Sequence, residues 1–127
     1  MTFPKKIREQ VYNKYDGHCA YCGRKIDYKD MQVDHFIPQR RWNAERSNDI
    51  SNLMPSCRSC NHYKRAHSLE TFRRYIFEIP KKLKENYIYK IGLIYENVIE
   101  NEHPIKFYYE ECEEKKHHDF SRTKKDC

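Results

Sequence analysis

Apolar residues recur every three to four positions near the beginning of the chain. Ile7, Val11 and Tyr15 share one face of a helix that this spacing predicts over residues 5–15. Two short apolar segments follow at residues 31–35 and 52–55, and each has the length and composition of a β-strand. The segment between them is polar and rich in Arg and Asn, which is typical of an exposed loop. The pattern therefore predicts a helix followed by a β-hairpin.

Serine residues mark the starts of two further predicted helices. Ser56 is suited to cap a helix over residues 57–67, because its hydroxyl can accept a hydrogen bond from the first helical turn. Ser68 can cap a second helix over residues 69–79 in the same way. A helical layer is therefore expected directly after the hairpin.

A third helix is predicted from Pro80, a residue that fits the first turn of a helix. Apolar residues from Leu83 to Ile99 recur along it at helical intervals, and we expect this face to pack in the core. Residues 110–127 alternate acidic and basic blocks, which predicts a loose tail.

The charge of the chain is concentrated in its first half. The 127 residues carry a net charge of +6, and residues 1–67 hold 13 basic against 7 acidic residues, whereas residues 68–127 hold 12 of each. A basic segment of this kind favours nucleic acid as a partner. Aromatic residues make up 14%, which argues against wholesale disorder. The apolar runs are too short to cross a bilayer, so we expect a cytoplasmic protein without a membrane partner.

Four of the six cysteines form two Cys-x-x-Cys pairs. Two such pairs supply the four thiolates of a tetrahedral zinc site, which is structural because no coordination position remains for water or substrate. The predicted zinc ligands are Cys19, Cys22, Cys57 and Cys60. Cys112 and Cys127 stand alone in the charged tail and are predicted to be free thiols.

Other residues that could take part in catalysis lie between and directly after the two cysteine pairs. They occur in the order Asp-His, Asn-Leu and Cys-x-x-Cys-Asn-x-x-Lys. The ordered set resembles the HNH endonuclease family, in which a β-hairpin packs on a helix around a metal. The chain departs from the family in the loop after Pro38, where a glycine pair is often found and Gln39-Arg-Arg-Trp42 stands here. The motif is carried by Asp34, His35, Asn52, Cys60, Asn61 and Lys64.

The resemblance implies catalytic roles for four residues. His35 would be the general base, because imidazole titrates near neutral pH. Asp34 and Asn61 would offer oxygen ligands to one Mg²⁺ or Mn²⁺ ion, with Ni²⁺ as an alternative. Asn52 would orient the His35 ring or brace the hairpin. Neighbours in a regular strand point to opposite sides, so Asp34 and His35 can converge only where the strand ends or twists.

Basic residues near the site are predicted to contact phosphate. Lys64 and Arg65 lie three and four positions after Asn61, which would place both on the helix face of that asparagine. The loop between the strands contributes further cations to the same prediction: Arg40, Arg41 and Arg46.

We therefore expect an α+β protein with a ββα-metal (HNH) core held together by a four-cysteine zinc site and flanked by an N-terminal helix and C-terminal helices. Residues 1–67 are the predicted nuclease core, residues 68–109 a helical extension packed on it, and residues 110–127 a charged, flexible tail. The implied function is metal-dependent hydrolysis of phosphodiester bonds in DNA, most readily double-stranded DNA.

Two other functions fit part of the sequence. A non-catalytic, zinc-stabilised nucleic-acid-binding module would need the four thiolates and the basic half, but would have no use for Asp34, His35 and Asn61 together. An accessory subunit of a larger DNA-processing assembly would act through its C-terminal helices. A single HNH site cuts one strand, so a double-strand break would need a homodimer or two events.

Overall fold

A computed structural model describes residues 3–38 and 47–118, except for the side chains of residues 117 and 118. Two short 3₁₀ turns, Tyr28–Asp30 and Ile50–Asn52, precede the two strands. The helices and strands are α1 (Lys5–Asn13), β1 (Gln32–His35), β2 (Leu53–Ser56), α2 (Arg58–Lys64), α3 (Leu69–Phe77), α4 (Ile79–Leu83), α5 (Tyr87–Ile94) and α6 (Tyr108–His118). The architecture is α+β, as the sequence predicts.

The hairpin consists of β1 and β2, which pair antiparallel with Asp34 opposite Met54 and His35 opposite Leu53. Every residue of β2 is buried, including Pro55. The carbonyl of Pro55 accepts a hydrogen bond from the Ala20 amide at 2.9 Å, which ties the first cysteine pair to the hairpin. The predicted hairpin is confirmed, and its second strand lies one residue later than expected.

Helix α2 is shorter than the sequence predicts at both ends. Cys57 caps it, because its Sγ accepts a hydrogen bond from the Cys60 amide at 3.4 Å, while the Ser56 hydroxyl donates to the Cys57 carbonyl instead. The helix ends at Lys64, since Arg65 has a positive φ of 53° that α-helical geometry does not allow. The predicted cap at Ser56 and the predicted end at residue 67 are therefore wrong.

The third predicted helix is interrupted. Asn86 begins the new helix α5, because its Oδ1 accepts hydrogen bonds from the amides of Ile88 and Tyr89 at 2.9 and 3.2 Å. Ile94 and Ile99 are 71% and 83% exposed, so the prediction of a core-facing stripe is wrong.

The chain divides into two compact units. The described parts of Met1–Leu69 and Lys106–Cys127 form the first unit, and Glu70–Ile105 forms the second. The C-terminal segment therefore belongs to the unit that contains the cysteine pairs, whereas the sequence prediction grouped residues 68–109. Within the described residues, no helix is long and apolar enough to span a membrane.

Helix α6 includes residues 110–118 of the predicted tail, and its first turn, at the end of the predicted extension, is bonded to the first cysteine pair. The amides of Tyr108 and Tyr109 donate to the carbonyls of Tyr21 and Ala20 at 3.0 and 2.8 Å. Cys112 is only 1% exposed and is disulfide-bonded, so the prediction of a free thiol is wrong there. Cys127, the other predicted free thiol, lies outside the described residues.

Candidate functional site

The four cysteines of the two pairs converge on one point. Their Sγ atoms all lie within 4.8 Å of one another, and Cys22 and Cys57 are 3.8 Å apart. A tetrahedral zinc ion with bonds of about 2.3 Å requires sulfur–sulfur distances of about 3.8 Å, so the geometry fits zinc. Gly23, with φ of 80°, closes the first turn, and a Cβ there would approach Tyr108 to 2.8 Å. The residues that the sequence predicts as zinc ligands are therefore brought together.

The electrostatics of this cluster suit a bound cation. The hydrogen bond between Cys60 and Cys19 lowers the pKa of Cys19 to about 4 and raises the pKa of Cys60, so Cys19 carries the thiolate of this pair. Burial raises the pKa of Cys22. Arg24 donates to Cys22 Sγ at 3.4 Å and to Cys57 Sγ at 3.5 Å, and these contacts raise the pKa of the guanidinium. Four thiolates around Zn²⁺ carry a net charge of −2, which the Arg24 guanidinium partly offsets.

Asp34 projects into the interior from β1 and is bound there through one oxygen. Its Oδ2 accepts a hydrogen bond from the Tyr21 hydroxyl at 2.6 Å and forms an ion pair with Lys64 Nζ at 3.0 Å. The Lys64 side chain is completely buried, and its ammonium also donates to the His35 carbonyl at 3.2 Å. Lys64 therefore cannot reach a phosphate of bound nucleic acid from this position, and the predicted phosphate contact is corrected to an internal ion pair.

Asn61 faces the same side of β1. Its Nδ2 donates to Gln32 Oε1 at 3.3 Å, and Gln32 shares a strand face with Asp34 because the two are separated by two positions. This contact uses the amide nitrogen of Asn61, and among the described residues Oδ1 of Asn61 makes no hydrogen bond. Oδ1 of Asp34 likewise makes no hydrogen bond or ion pair to a described residue. One oxygen from the strand and one from the helix are thus available to a cation.

His35 lies at the last position of β1 and is partly buried. Its Nε2 is 2.8 Å from Asn48 Oδ1, and the Phe3 ring lies 6.1 Å from the imidazole between centroids. A carboxamide oxygen can only accept, so Nε2 is the donor in this contact, and Nδ1 makes no hydrogen bond to a described residue. The contact with Asn48 orients the imidazole ring.

Asn52 holds the two ends of the loop rather than the His35 ring. Its Oδ1 accepts from the Ile37 amide at 2.8 Å, and its Nδ2 donates to the carbonyls of Ile37 and Ser47 at 3.1 and 2.9 Å. Of the two roles expected for Asn52, the structure places it in the bracing one. Asn48 bonds the imidazole, and nothing in the sequence distinguishes it from other polar loop residues.

Of the other cations predicted to bind phosphate, only Arg65 lies among the described residues. Arg65 is exposed at the C-cap of α2, where its amide still donates to the Asn61 carbonyl at 3.0 Å, but its positive φ takes it out of the helical conformation that the prediction assumes. The three loop arginines lie outside the described residues, as does Trp42: they are Arg40, Arg41 and Arg46.

Part of the chain is similar to a known protein family. Residues 19–67, from the first cysteine of the first pair to just beyond α2, match the family model of the HNH endonucleases. The resemblance read from the sequence is confirmed. The matched segment contains the four thiols, the hairpin and α2, and it excludes the second compact unit.

Two curated relatives match part of the chain. The "SPbeta prophage-derived putative HNH endonuclease YoqL" of Bacillus subtilis (strain 168) is 31% identical over 61 residues, which cover 44% of this chain and 26% of that protein. The CRISPR-associated endonuclease Cas9 of Corynebacterium diphtheriae is 33% identical over 57 residues, covering 45% of this chain and 5% of the relative. The matches thus span about a quarter of the first relative and a twentieth of the second.

A solved structure is also similar. The type II-C Cas9 enzyme from Actinomyces naeslundii superposes with a TM-score of 0.48 and 26% sequence identity, over 57% of this chain and 8% of that chain.

Among the described residues of the present chain, the four cysteines are the only group of three or more His, Cys, Asp or Glu side chains close enough to hold an ion. A second ion at the HNH motif would therefore depend on Asp34, Asn61 and water.

Proposed function

We propose that this chain is a metal-dependent endonuclease that hydrolyses phosphodiester bonds in DNA, with His35 as the general base. The observation that carries the proposal is the fixed orientation of the His35 ring, beside a strand and a helix that each offer one unused side-chain oxygen. Those oxygens belong to Asp34 and Asn61, and the match to the HNH endonucleases covers both positions.

Each residue of the site has a defined task in this reaction. Nδ1 of His35 accepts a proton from the attacking water, while Asn48 holds Nε2–H and keeps the ring in place. Asn52 keeps the loop closed beside the ring. A divalent ion bound by Asp34 and Asn61 would act as a Lewis acid and stabilise the charge on the leaving oxygen. Mg²⁺ and Mn²⁺ suit such oxygen ligands, with Ni²⁺ as an alternative.

Double-stranded DNA is the proposed substrate. The excess of 13 basic over 7 acidic residues in positions 1–67 lies in the part of the chain that matches the family. Arg65 is exposed at the end of α2, directly after the helix that contributes Asn61. One copy has one such site and would cut one strand, so a double-strand break would require a homodimer or two separate events.

Conversion of supercoiled plasmid tests this function. We expect purified protein to produce open circles with Mg²⁺, Mn²⁺ or Ni²⁺ and none in EDTA. The His35→Ala variant should lose this activity by about 10²–10⁴-fold, the contribution typical of a general base, and keep its zinc. Nicking by that variant at the wild-type rate would remove His35 from the mechanism.

One observation favours the non-catalytic alternative, a zinc-stabilised nucleic-acid-binding module. The ion pair with Lys64 already accounts for the burial of Asp34 without any bound cation. Such a module would bind DNA with an affinity that falls steeply with salt, would be indifferent to Mg²⁺, and would yield no product over hours. The same plasmid assay, combined with a binding measurement, therefore separates the two functions.

A further inference from the structure

The ion pair between Asp34 and Lys64 has no task in the reaction described above. The Lys64 ammonium lies 3.0 Å from Asp34 Oδ2. Both side chains are almost fully buried, with 0% of Lys64 and 7% of Asp34 exposed. Tyr21 donates its hydroxyl to the same oxygen at 2.6 Å. The inner oxygen of the proposed metal ligand is therefore held by one cation and one neutral donor.

Buried charges of this kind are strongly coupled. A carboxylate removed from water needs a partner, and removal of that partner leaves an uncompensated charge in the interior. Among the described residues, Lys64 is the one cation in contact with Asp34. The Lys64 ammonium also donates to the His35 carbonyl at 3.2 Å, which anchors it at this point of the site. A divalent ion on Oδ1 of Asp34 would therefore be repelled by the Lys64 ammonium, which is bound to the other oxygen of the same carboxylate.

We propose that Lys64 is a permanent counter-ion of Asp34. In the absence of a divalent ion, Lys64 stabilises the packing of the hairpin on α2, and its positive charge weakens the binding of a divalent ion to Asp34. Lys64 is thus a positioning residue, and its ammonium substitutes for the second cation while that cation is absent. The inference rests on the proposed function, because it takes Asp34 as a ligand of the divalent ion.

The substitution Lys64→Met tests the proposal, because methionine keeps most of the volume and removes the charge. Binding of Mn²⁺ alone to the zinc-loaded full chain would be measured at pH 8 from the electron paramagnetic resonance signal of free Mn²⁺. We expect Lys64→Met to bind Mn²⁺ about tenfold or more tightly, because a close like charge has been removed. In EDTA at limited concentration, with zinc retained, we expect the same variant to melt at a lower temperature than the wild type.

These two changes go in opposite directions, which a merely structural role would not produce. Loss of packing alone would weaken Mn²⁺ binding and stability together. The variant Lys64→Arg, which keeps the charge, should bind Mn²⁺ within a few-fold of the wild type. The variant Tyr21→Phe removes the neutral donor to the same oxygen and should change the Mn²⁺ affinity much less than Lys64→Met does.

Unchanged or weaker Mn²⁺ binding by Lys64→Met would overturn the proposal. If the variant folds only when Mn²⁺ is present, the cation has replaced the ammonium and the proposal is supported; if it stays unfolded in saturating Mn²⁺, the proposal is wrong. The variant Asp34→Asn separates this result from the proposed function. Equal Mn²⁺ affinity in wild type and Asp34→Asn would show that Asp34 is not a ligand, and the proposed metal site would fail first.

Discussion

At the scale of single residues, each proposed catalytic side chain is held by a neighbour that the family motif does not contain. Asn48 accepts from His35, Gln32 accepts from Asn61, and Tyr21 donates to Asp34. The motif could be recognised in the sequence because its residues have fixed spacing. Their neighbours could not, since each contact joins positions 13 to 29 residues apart and depends on the fold.

Asn48 offers a direct test of this arrangement. The variant Asn48→Leu removes the acceptor for His35 Nε2–H, so the ring loses its fixed orientation while the base itself remains. We expect the nicking rate to fall by about tenfold or more, which is less than the loss of about 10²–10⁴-fold expected for removing the base. Initial rates on supercoiled plasmid measure it.

The matched control is Asn101→Leu, a similar change at an exposed position in the second unit. It should leave the rate unchanged. An Asn48→Leu variant that nicks plasmid as fast as the wild type, with the same zinc content, would show that the contact with Asn48 does not position the proposed base.

At the scale of helices and strands, the sequence predicted the parts whose pattern is local. The helix at residues 5–13 and both strands follow from short-range spacing and are present. The apolar stripe after Pro80 failed because Asn86, a residue with a strong capping preference, starts a new helix within it. The contacts of α6 could not be predicted from its charged residues, because they are made by the backbone amides and rings of Tyr108 and Tyr109.

Cys57 has two tasks, as a predicted zinc ligand and as the cap of α2. The variant Cys57→Ser should therefore lose zinc and, with it, most of the folded population of the first unit, because structural zinc contributes of order 10 kcal/mol to folding in small domains. Zinc content and far-ultraviolet circular dichroism measure both effects.

Ser59→Ala is the matched control, since Ser59 is exposed in the same turn of α2. It should keep full zinc content. A Cys57→Ser protein with wild-type thermal stability would contradict a structural role for the four-thiol site.

Phe107 tests the position of the C-terminal segment in the first unit. It is 2% exposed, and its ring packs edge-on against Tyr21 at 5.5 Å between centroids. We expect Phe107→Ala to lower the free energy of unfolding by about 3–5 kcal/mol, the typical cost of removing a buried aromatic ring. Denaturant unfolding measures this change.

Tyr95→Ala provides the comparison, because Tyr95 is 77% exposed. Its effect should stay within about 0.5 kcal/mol, as for most surface substitutions. Equal effects of the two variants would show that residues 106–118 do not contribute to the core of the first unit.

At the scale of the whole molecule, the chain separates into a unit that contains the candidate metal ligands and a unit whose described residues form no such group. The first contains the segment that matches the HNH endonucleases, the excess positive charge and both candidate metal sites. The second, Glu70–Ile105, presents several exposed apolar side chains, Ile88 and Ile99 among them. Composition alone indicated this division of charge, but the return of residues 106–118 to the first unit required the structure.

The proposed function requires a second, oxygen-bound cation between β1 and α2, separate from an ion at the four thiols. A crystal soaked in Mn²⁺ and measured for anomalous scattering tests it most directly. We predict a manganese peak within coordination distance of both Asp34 Oδ1 and Asn61 Oδ1, on the side away from Lys64, together with a zinc peak at the four sulfurs. A zinc peak alone, with the two oxygens turned away from each other at saturating Mn²⁺, would show that Asp34 and Asn61 do not bind a divalent ion together.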